Sequence, residues 1–246
     1  MPSEHTVKAF DEQLKHLKQM LVQMGGLAEA ELESAVQALV RRDVELAQRT
    51  IGSDARIDEI EHEIMALSVK MLALRQPMAT DLREIVSALK ISSDLERMGD
   101  YAANVAKRAV ALNQLPVVRP AGSIPRMARL VQTIIKDVLD AYVERYPARA
   151  LEAWRRDEEV DEMYTSIFRE LLTYMMEDAR NITSCTHLLF VAKNIERIGD
   201  HATNIAETIH YLVLGKTIET ARPKGDQTSF AVVTPAEVGT VKEGQQ

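Results

Sequence analysis

The stretch Glu96-Arg97-Met98-Gly99-Asp100-Tyr101-Ala102-Ala103-Asn104 returns one hundred residues later, without a gap, as Glu196-Arg197-Ile198-Gly199-Asp200-His201-Ala202-Thr203-Asn204. Glu, Arg, Gly, Asp, Ala and Asn recur in place, a density that marks an internal duplication. Within each copy the two acids stand four residues apart. On a helix such like charges are neighbours and cost a few tenths of a kcal/mol, so each copy needs a compensating partner.

Apolar residues on either side of each copy recur three and four apart, the mark of a packed helix. The seam Ile91, Leu95, Met98, Ala102, Val105, Ala109 and Leu112 reappears, each position plus one hundred, as Val191, Ile195, Ile198, Ala202, Ile205, Ile209 and Leu212. The first of these helices is expected to start after Thr80, a good N-cap, and the second near Ile182 with Asn181 as cap. Two further helices precede each. Residues 6–40 read as one helix with Leu14, Leu17, Leu21, Met24 and Ala28 inward, and with a kink or a close approach expected at Gly25-Gly26. A second starts near Asp43, runs on Ile57, Ile60, Ile64, Leu67, Met71 and Leu74, and stops at Gln76-Pro77, because the residue before proline resists the α region. In the second half, a helix from about Ile124 carries Met127, Leu130, Val131, Ile134 and Val138, and the next starts near Pro147. Asp54 and Asp58 align with Asp157 and Asp161 at an offset of 103.

The expected fold is all-α: two repeated three-helix bundles, six long helices in a pseudo-twofold tandem repeat. The first bundle spans 1–115 and the second 116–221, with Asn113 to Ser123, which contains two prolines and a glycine, as the linker. Residues 222–246 lack periodicity and read as a flexible tail. Aromatic residues make up only 4% of the chain, so its core is aliphatic. The net charge of −7 comes without a basic stripe, which argues against nucleic acid as a partner. A single cysteine, Cys185, permits no internal disulfide. Glu4, His5, Asp11 and Glu12 stand where a signal peptide would be apolar, and no run is long enough to span a membrane. The expectation is a cytoplasmic protein with no membrane insertion.

Projected at 100° per residue, Glu96, Asp100 and Asn104 fall opposite their own seam, and Glu196, Asp200 and Asn204 do the same. Asp54 with Asp58, and Asp157 with Asp161, add a second acidic pair on another helix of each half. If the helices are neighbours, four carboxylates converge per half, a donor set for Mg²⁺, Mn²⁺ or iron. A charged face is most often only a solvated face, and Arg97 is placed to neutralise Asp94 and Asp100 by ordinary helix pairing. Gly99 and Gly199 serve either close helix packing or room for a ligand beside Asp100 and Asp200. Glu207 and His210 have the spacing of a di-iron bundle, but position 107 of the other half is lysine, so the required second copy is missing. His201 reads as peripheral and Cys185 as a buried, inert thiol.

The repeated segment Asp94-Leu-Glu-Arg-Met-Gly-Asp-Tyr-Ala-Ala-Asn-Val-Ala106, its copy Asn194 to Ala206, and Asp54-Ala-Arg-Ile-Asp-Glu-Ile-Glu61 resemble the PhoU family of phosphate-uptake regulators. The resemblance covers residues 1 to about 218. It implies two three-helix bundles with multinuclear metal clusters on Glu/Asp-xxx-Asp motifs. The implied ligands are Glu96, Asp100, Glu196 and Asp200, supported by Asp54, Asp58, Asp157 and Asp161, for iron, zinc, manganese or magnesium. Tyr164 replaces Glu61 in the second half, which makes that site the poorer in carboxylates. The resemblance further implies a homodimeric cytoplasmic adaptor. It would link the ATPase of a phosphate ABC transporter to a sensor histidine kinase and repress the phosphate-starvation response. The competing reading is a metal-dependent hydrolase or oxidase on a helical scaffold. Carboxylates on an outward face suit an enzyme badly, because catalysis calls for a concave site with a tuned acid or base. The protein is therefore expected not to be an enzyme.

Overall fold

The computed structural model describes residues 4–75, 77–118, 122–220, 222, 225 and 228. Among them there is no strand, and eight α-helices account for most of the described residues. They are α1 (Glu4–Arg41), α2 (Val44–Ser53), α3 (Ala55–Arg75), α4 (Ala79–Leu112), α5 (Ser123–Glu144), α6 (Pro147–Arg155), α7 (Asp157–Glu177) and α8 (Ile182–Leu214), with a short 3₁₀ turn at Ala179–Asn181. The two-bundle plan holds, with one refinement. The second helix of each bundle is two helices, divided at Asp54 in the first half and at Arg156 in the second. Gln76, residues 119–121 of the expected linker and most of the expected tail lie outside the described residues.

The duplicated seams form the centre of the molecule. All seven apolar positions of α4 and all seven of α8 are buried. The two helices pack directly on each other, so the repeats share one contiguous core. Of the α3 seam, Ile57, Ile60, Ile64 and Met71 are buried and Leu67 partly so. Leu74 instead stands 68% exposed, one residue from the end of its helix, where the bundle has no further wall.

Local signals explain most of the boundaries. Asp43 caps α2, its carboxylate accepting from the Leu46 amide at 2.9 Å. Pro147 opens α6 at the first turn, where its missing N–H costs nothing. Gly25 and Gly26 do not interrupt α1, which runs unbroken. A Cβ at Gly25 would lie 2.5 Å from Leu139 Cδ2, so this glycine is where α1 crosses α5 of the other half. Two expected caps are different in the structure. Helix α4 starts at Ala79, ahead of Thr80, and Met78 at its cap position provides no side-chain bond. Asn181 does precede α8, but its amide donates to the Tyr174 carbonyl and caps nothing.

Candidate metal centres

The division of the second helix places an acid where a helix begins. The Asp54 carbonyl accepts the first amides of α3, from Ile57 and Asp58. Asp157 is the first residue of α7 and is followed by Glu158 and Glu159. The unpaired amides of a helix N-terminus favour negative charge by roughly 0.3–1 kcal/mol. That offsets a like-charge pair one turn apart, and it supplies part of the compensation each acidic pair requires.

In the first half, α3 packs on α4 and α1 packs on both. This brings Asp54 and Asp58 into electrostatic contact with Glu96 and Asp100. Glu31 of α1 joins them. It is 4% exposed, and neither of its oxygens has a hydrogen-bond partner, nor does Asp54 Oδ1. Ser53 lies close enough to ease the Glu31 charge, but its hydroxyl donates to the Thr50 carbonyl at 2.8 Å. Burial, with Asp54 and Asp58 alongside, pushes the Glu31 carboxyl from the usual 4.5 up to about 7. Asp54 and Glu96 are raised as well, mainly by burial and then by neighbouring acids. Arg97 donates to Asp100 Oδ2 at 3.2 Å and stands 3.5 Å from Glu96. The expected relief of Asp94 by Arg97 is replaced by another pairing, because Asp94 instead accepts from His201 Nδ1 at 2.8 Å and from Asn204 at 3.3 Å across the α4–α8 interface.

Glu31 escaped the reading of the motifs, although its position carried a signal. It extends the α1 seam of Leu17, Leu21, Met24 and Ala28 by one step of three and is followed by buried Leu32 and Ala35. A carboxylate at a seam position is expensive unless something charged meets it.

The second half gathers Asp157, Asp161, Glu196 and Asp200 in the same arrangement, but its acids are matched. Lys193 donates to Glu196 Oε1 at 2.7 Å. Arg222, beyond the end of α8, donates through Nε to Asp157 Oδ2 and through Nη2 to Asp200 Oδ1, both at 2.7 Å. The Gly225 amide donates to Asp161 Oδ2 at 2.8 Å. Under this cover Asp157, Asp161 and Glu196 are only 2%, 3% and 5% exposed, so the face read as outward is closed over here. Burial raises Glu196 to about 7, with Lys193 opposing, and its Oε2 has no partner. At an offset of 103, buried Ile134 takes the place of Glu31 and Tyr164 that of Glu61. The first cluster is therefore the richer in acid and the poorer in cationic partners.

The two glycines differ accordingly. A Cβ at Gly99 would stand 2.8 Å from Ile57 Cδ1, 2.9 Å from Asp54 Oδ1 and 3.4 Å from Glu31 Oε2, so this glycine makes room both for the packing of α3 and for the cluster. At Gly199 it would meet only Val160 and Val131, at 3.4 Å or more, which is ordinary packing.

The eight acids lie within electrostatic reach of one another in two groups of four, one per half, with Glu31 added to the first. Their oxygens are hard donors suited to Mg²⁺, Mn²⁺ or iron. The unpartnered oxygens of Glu31 and Asp54 fit an incoming cation. Among the described residues, no three His, Cys, Asp or Glu side chains already surround one point. A cation would have to draw the repelling carboxylates inward.

The other candidates are engaged elsewhere. Glu207 accepts from Trp154 Nε1 at 2.8 Å, and His210 Nδ1 donates to the Lys216 carbonyl at 2.9 Å, so the Glu-x-x-His spacing has a structural use. His201 also packs against Tyr101. Cys185 is fully buried, and burial pushes its thiol up, away from the reactive thiolate.

The PhoU domain model matches residues 21–109 and 124–209, once in each half. A phosphate-specific transport system accessory protein PhoU homolog of Caulobacter vibrioides is 54% identical over 228 residues, covering 92% of this chain and 99% of its own length. The homolog of the same name in Rhizobium meliloti is 51% identical, covering 93% and 97%. The crystal structure of PhoU from Pseudomonas aeruginosa superposes with a TM-score of 0.82 at 40% identity, over 84% of this chain and all of the other.

Proposed function

The chain belongs to the PhoU family, and from that premise we propose that it is a non-catalytic regulator of phosphate uptake whose carboxylate clusters bind metal. The relatives are named for an accessory role in phosphate-specific transport. That name supports the ATPase of a phosphate ABC transporter as a proposed partner; the family resemblance adds, as a further proposal, a sensor histidine kinase whose starvation response the protein represses. We further propose that it acts in the cytoplasm as a homodimer. No described helix is long and apolar enough to cross a membrane, which agrees with that placement.

The observation that carries the metal reading is the first cluster. Glu31, Asp54, Asp58, Glu96 and Asp100 share one corner of the bundle, and two of them hold buried oxygens with no partner. Buried unpaired carboxylates destabilise a fold, and a polyvalent cation removes that cost. Asp157, Asp161, Glu196 and Asp200 are the corresponding ligands of the second cluster. Elemental mass spectrometry of the purified protein distinguishes iron, zinc, manganese and magnesium as the bound metal.

The regulator and the hydrolase or oxidase predict different results. Affinity capture of the tagged chain from phosphate-replete cells is expected to recover the transporter ATPase and the kinase. Failure to capture either, in high or low phosphate, contradicts the adaptor role. Turnover of phosphate esters that Asp100→Ala abolishes would establish the enzyme instead.

A further inference from the structure

We infer that the second carboxylate cluster is a receptor for the chain's own C-terminal segment, and that it admits a metal cation only when Arg222 leaves it. The inference rests on the metal reading above and specifies how one of the two sites is regulated.

The contacts are those of a bound ligand. The Arg222 guanidinium forks between two carboxylates on different helices, Asp157 on α7 and Asp200 on α8, at 2.7 Å each. A third nitrogen reaches Asn204 Oδ1 at 3.4 Å. Three residues further on, the Gly225 backbone amide takes up Asp161. The Arg222 side chain is 15% exposed, so the charge is largely withdrawn from water, and paired donors in a fixed fork are well suited to such a place. The segment thus contacts three of the four proposed ligands, and the fourth, Glu196, is held by Lys193.

The rest of the half has diverged to suit this occupant. In the first repeat Arg97 turns to Asp100 of its own helix. Its counterpart Arg197 lies over the Tyr101 ring at 5.5 Å instead, and Arg222 serves Asp200 in its place. Lys193 has Ser93 as its counterpart, so in the first cluster Glu96 has only the longer 3.5 Å approach of Arg97, which is shared with Asp100. Metal and guanidinium would compete for the same oxygens, Asp157 Oδ2 and Asp200 Oδ1. Each excludes the other. The apparent affinity of the second cluster for a cation is then its intrinsic affinity reduced by the fraction of molecules in which the segment is undocked.

The test uses the full-length chain with Mn²⁺ as probe, titrated calorimetrically after removal of bound metal. Asp54→Asn with Asp100→Asn silences the first cluster and leaves the second to be measured. In that background Arg222→Gln is expected to tighten Mn²⁺ binding by at least about tenfold, since each charge-assisted bond removed from the competitor is worth about that much. Trypsin cleavage after Lys224 gives an independent readout. It is expected to be slow in the metal-free wild type, and faster with Mn²⁺ or in Asp157→Asn with Asp200→Asn. Equal Mn²⁺ affinity with and without Arg222 overturns the competition while leaving metal binding intact. Unchanged cleavage in the double aspartate variant overturns the docking. A wild type that binds no Mn²⁺, iron or zinc at either cluster overturns the metal reading, and the competition with it.

Discussion

Glu31 is the residue on which the first cluster turns, because its carboxyl is held in the core and raised to about 7. A carboxyl whose folded-state pKa lies above its unfolded value weakens the fold when it ionises. The cost is absent below the ordinary 4.5 and fully present above about 7, so stability falls as pH rises through that window. Glu196, raised to about 7 in the second half, acts in the same direction. The metal-free wild type is therefore expected to lose more thermal stability than Glu31→Gln between about pH 5 and about pH 8. Equal losses in chelator-treated samples followed by circular dichroism would contradict the assignment. The glycines give a second test at this scale. Gly199→Ala is expected to be neutral or to stabilise α8 by up to about 1 kcal/mol through helix propensity. Gly99→Ala is expected to keep the fold but to displace the Asp54 carboxylate, and so to weaken metal binding at the first cluster. Comparable metal affinity in the two variants would refute the distinction.

At the scale of helices, the seams were legible because their period repeats one hundred residues apart, and every seam position of α4 and α8 is buried as that period requires. The breaks at Asp54 and Arg156 were not legible. The apolar seam used to trace the first of these helices begins only at Ile57, so its period gives no sign of a break upstream; no proline stands at either break, and Gly52 in the last turn of α2 is the one local signal. The caps at Thr80 and Asn181 were misread for a related reason. A capping residue type states a capacity, and tertiary packing decides whether the side chain turns to the helix or elsewhere, as Asn181 does toward Tyr174. Where the capacity is used, its worth is predictable. Asp43 caps α2, while Tyr146, 103 residues later, holds the same position with no cap bond. Asp43→Ala is expected to cost about 1 kcal/mol and Tyr146→Ala to lose no capping energy, as measured by denaturant unfolding. A Tyr146→Ala loss as large as that of Asp43→Ala would show that the caps do not set the difference.

Across the whole molecule, the duplication repeats one acidic arrangement, the replacement of Glu61 by Tyr164 already makes the second copy the poorer in carboxylates, and the structure shows the two clusters to be unequal in their cationic partners as well. The four-apart spacing places each acidic pair on one face of its own helix, and it is the packing of α3 on α4 and of α7 on α8 that brings the pairs within electrostatic reach. Glu31 was missed because it lies outside the four-apart acidic motifs, and its counterpart in the second half is the apolar Ile134. Arg222 was missed because it lies in a stretch without periodicity, where no local pattern shows that one arginine reaches across to α7 and α8. The consequence is a first cluster with unpartnered acid and a second already matched by the chain's own cations. The measurement that tests this account most directly is elemental mass spectrometry of the purified full-length chain. The wild type is expected to hold metal, Asp100→Ala to lose the larger share, and Asp100→Ala with Asp200→Ala to lose it all. A metal-free wild type, recovered from cells in which it regulates phosphate uptake normally, would contradict the account.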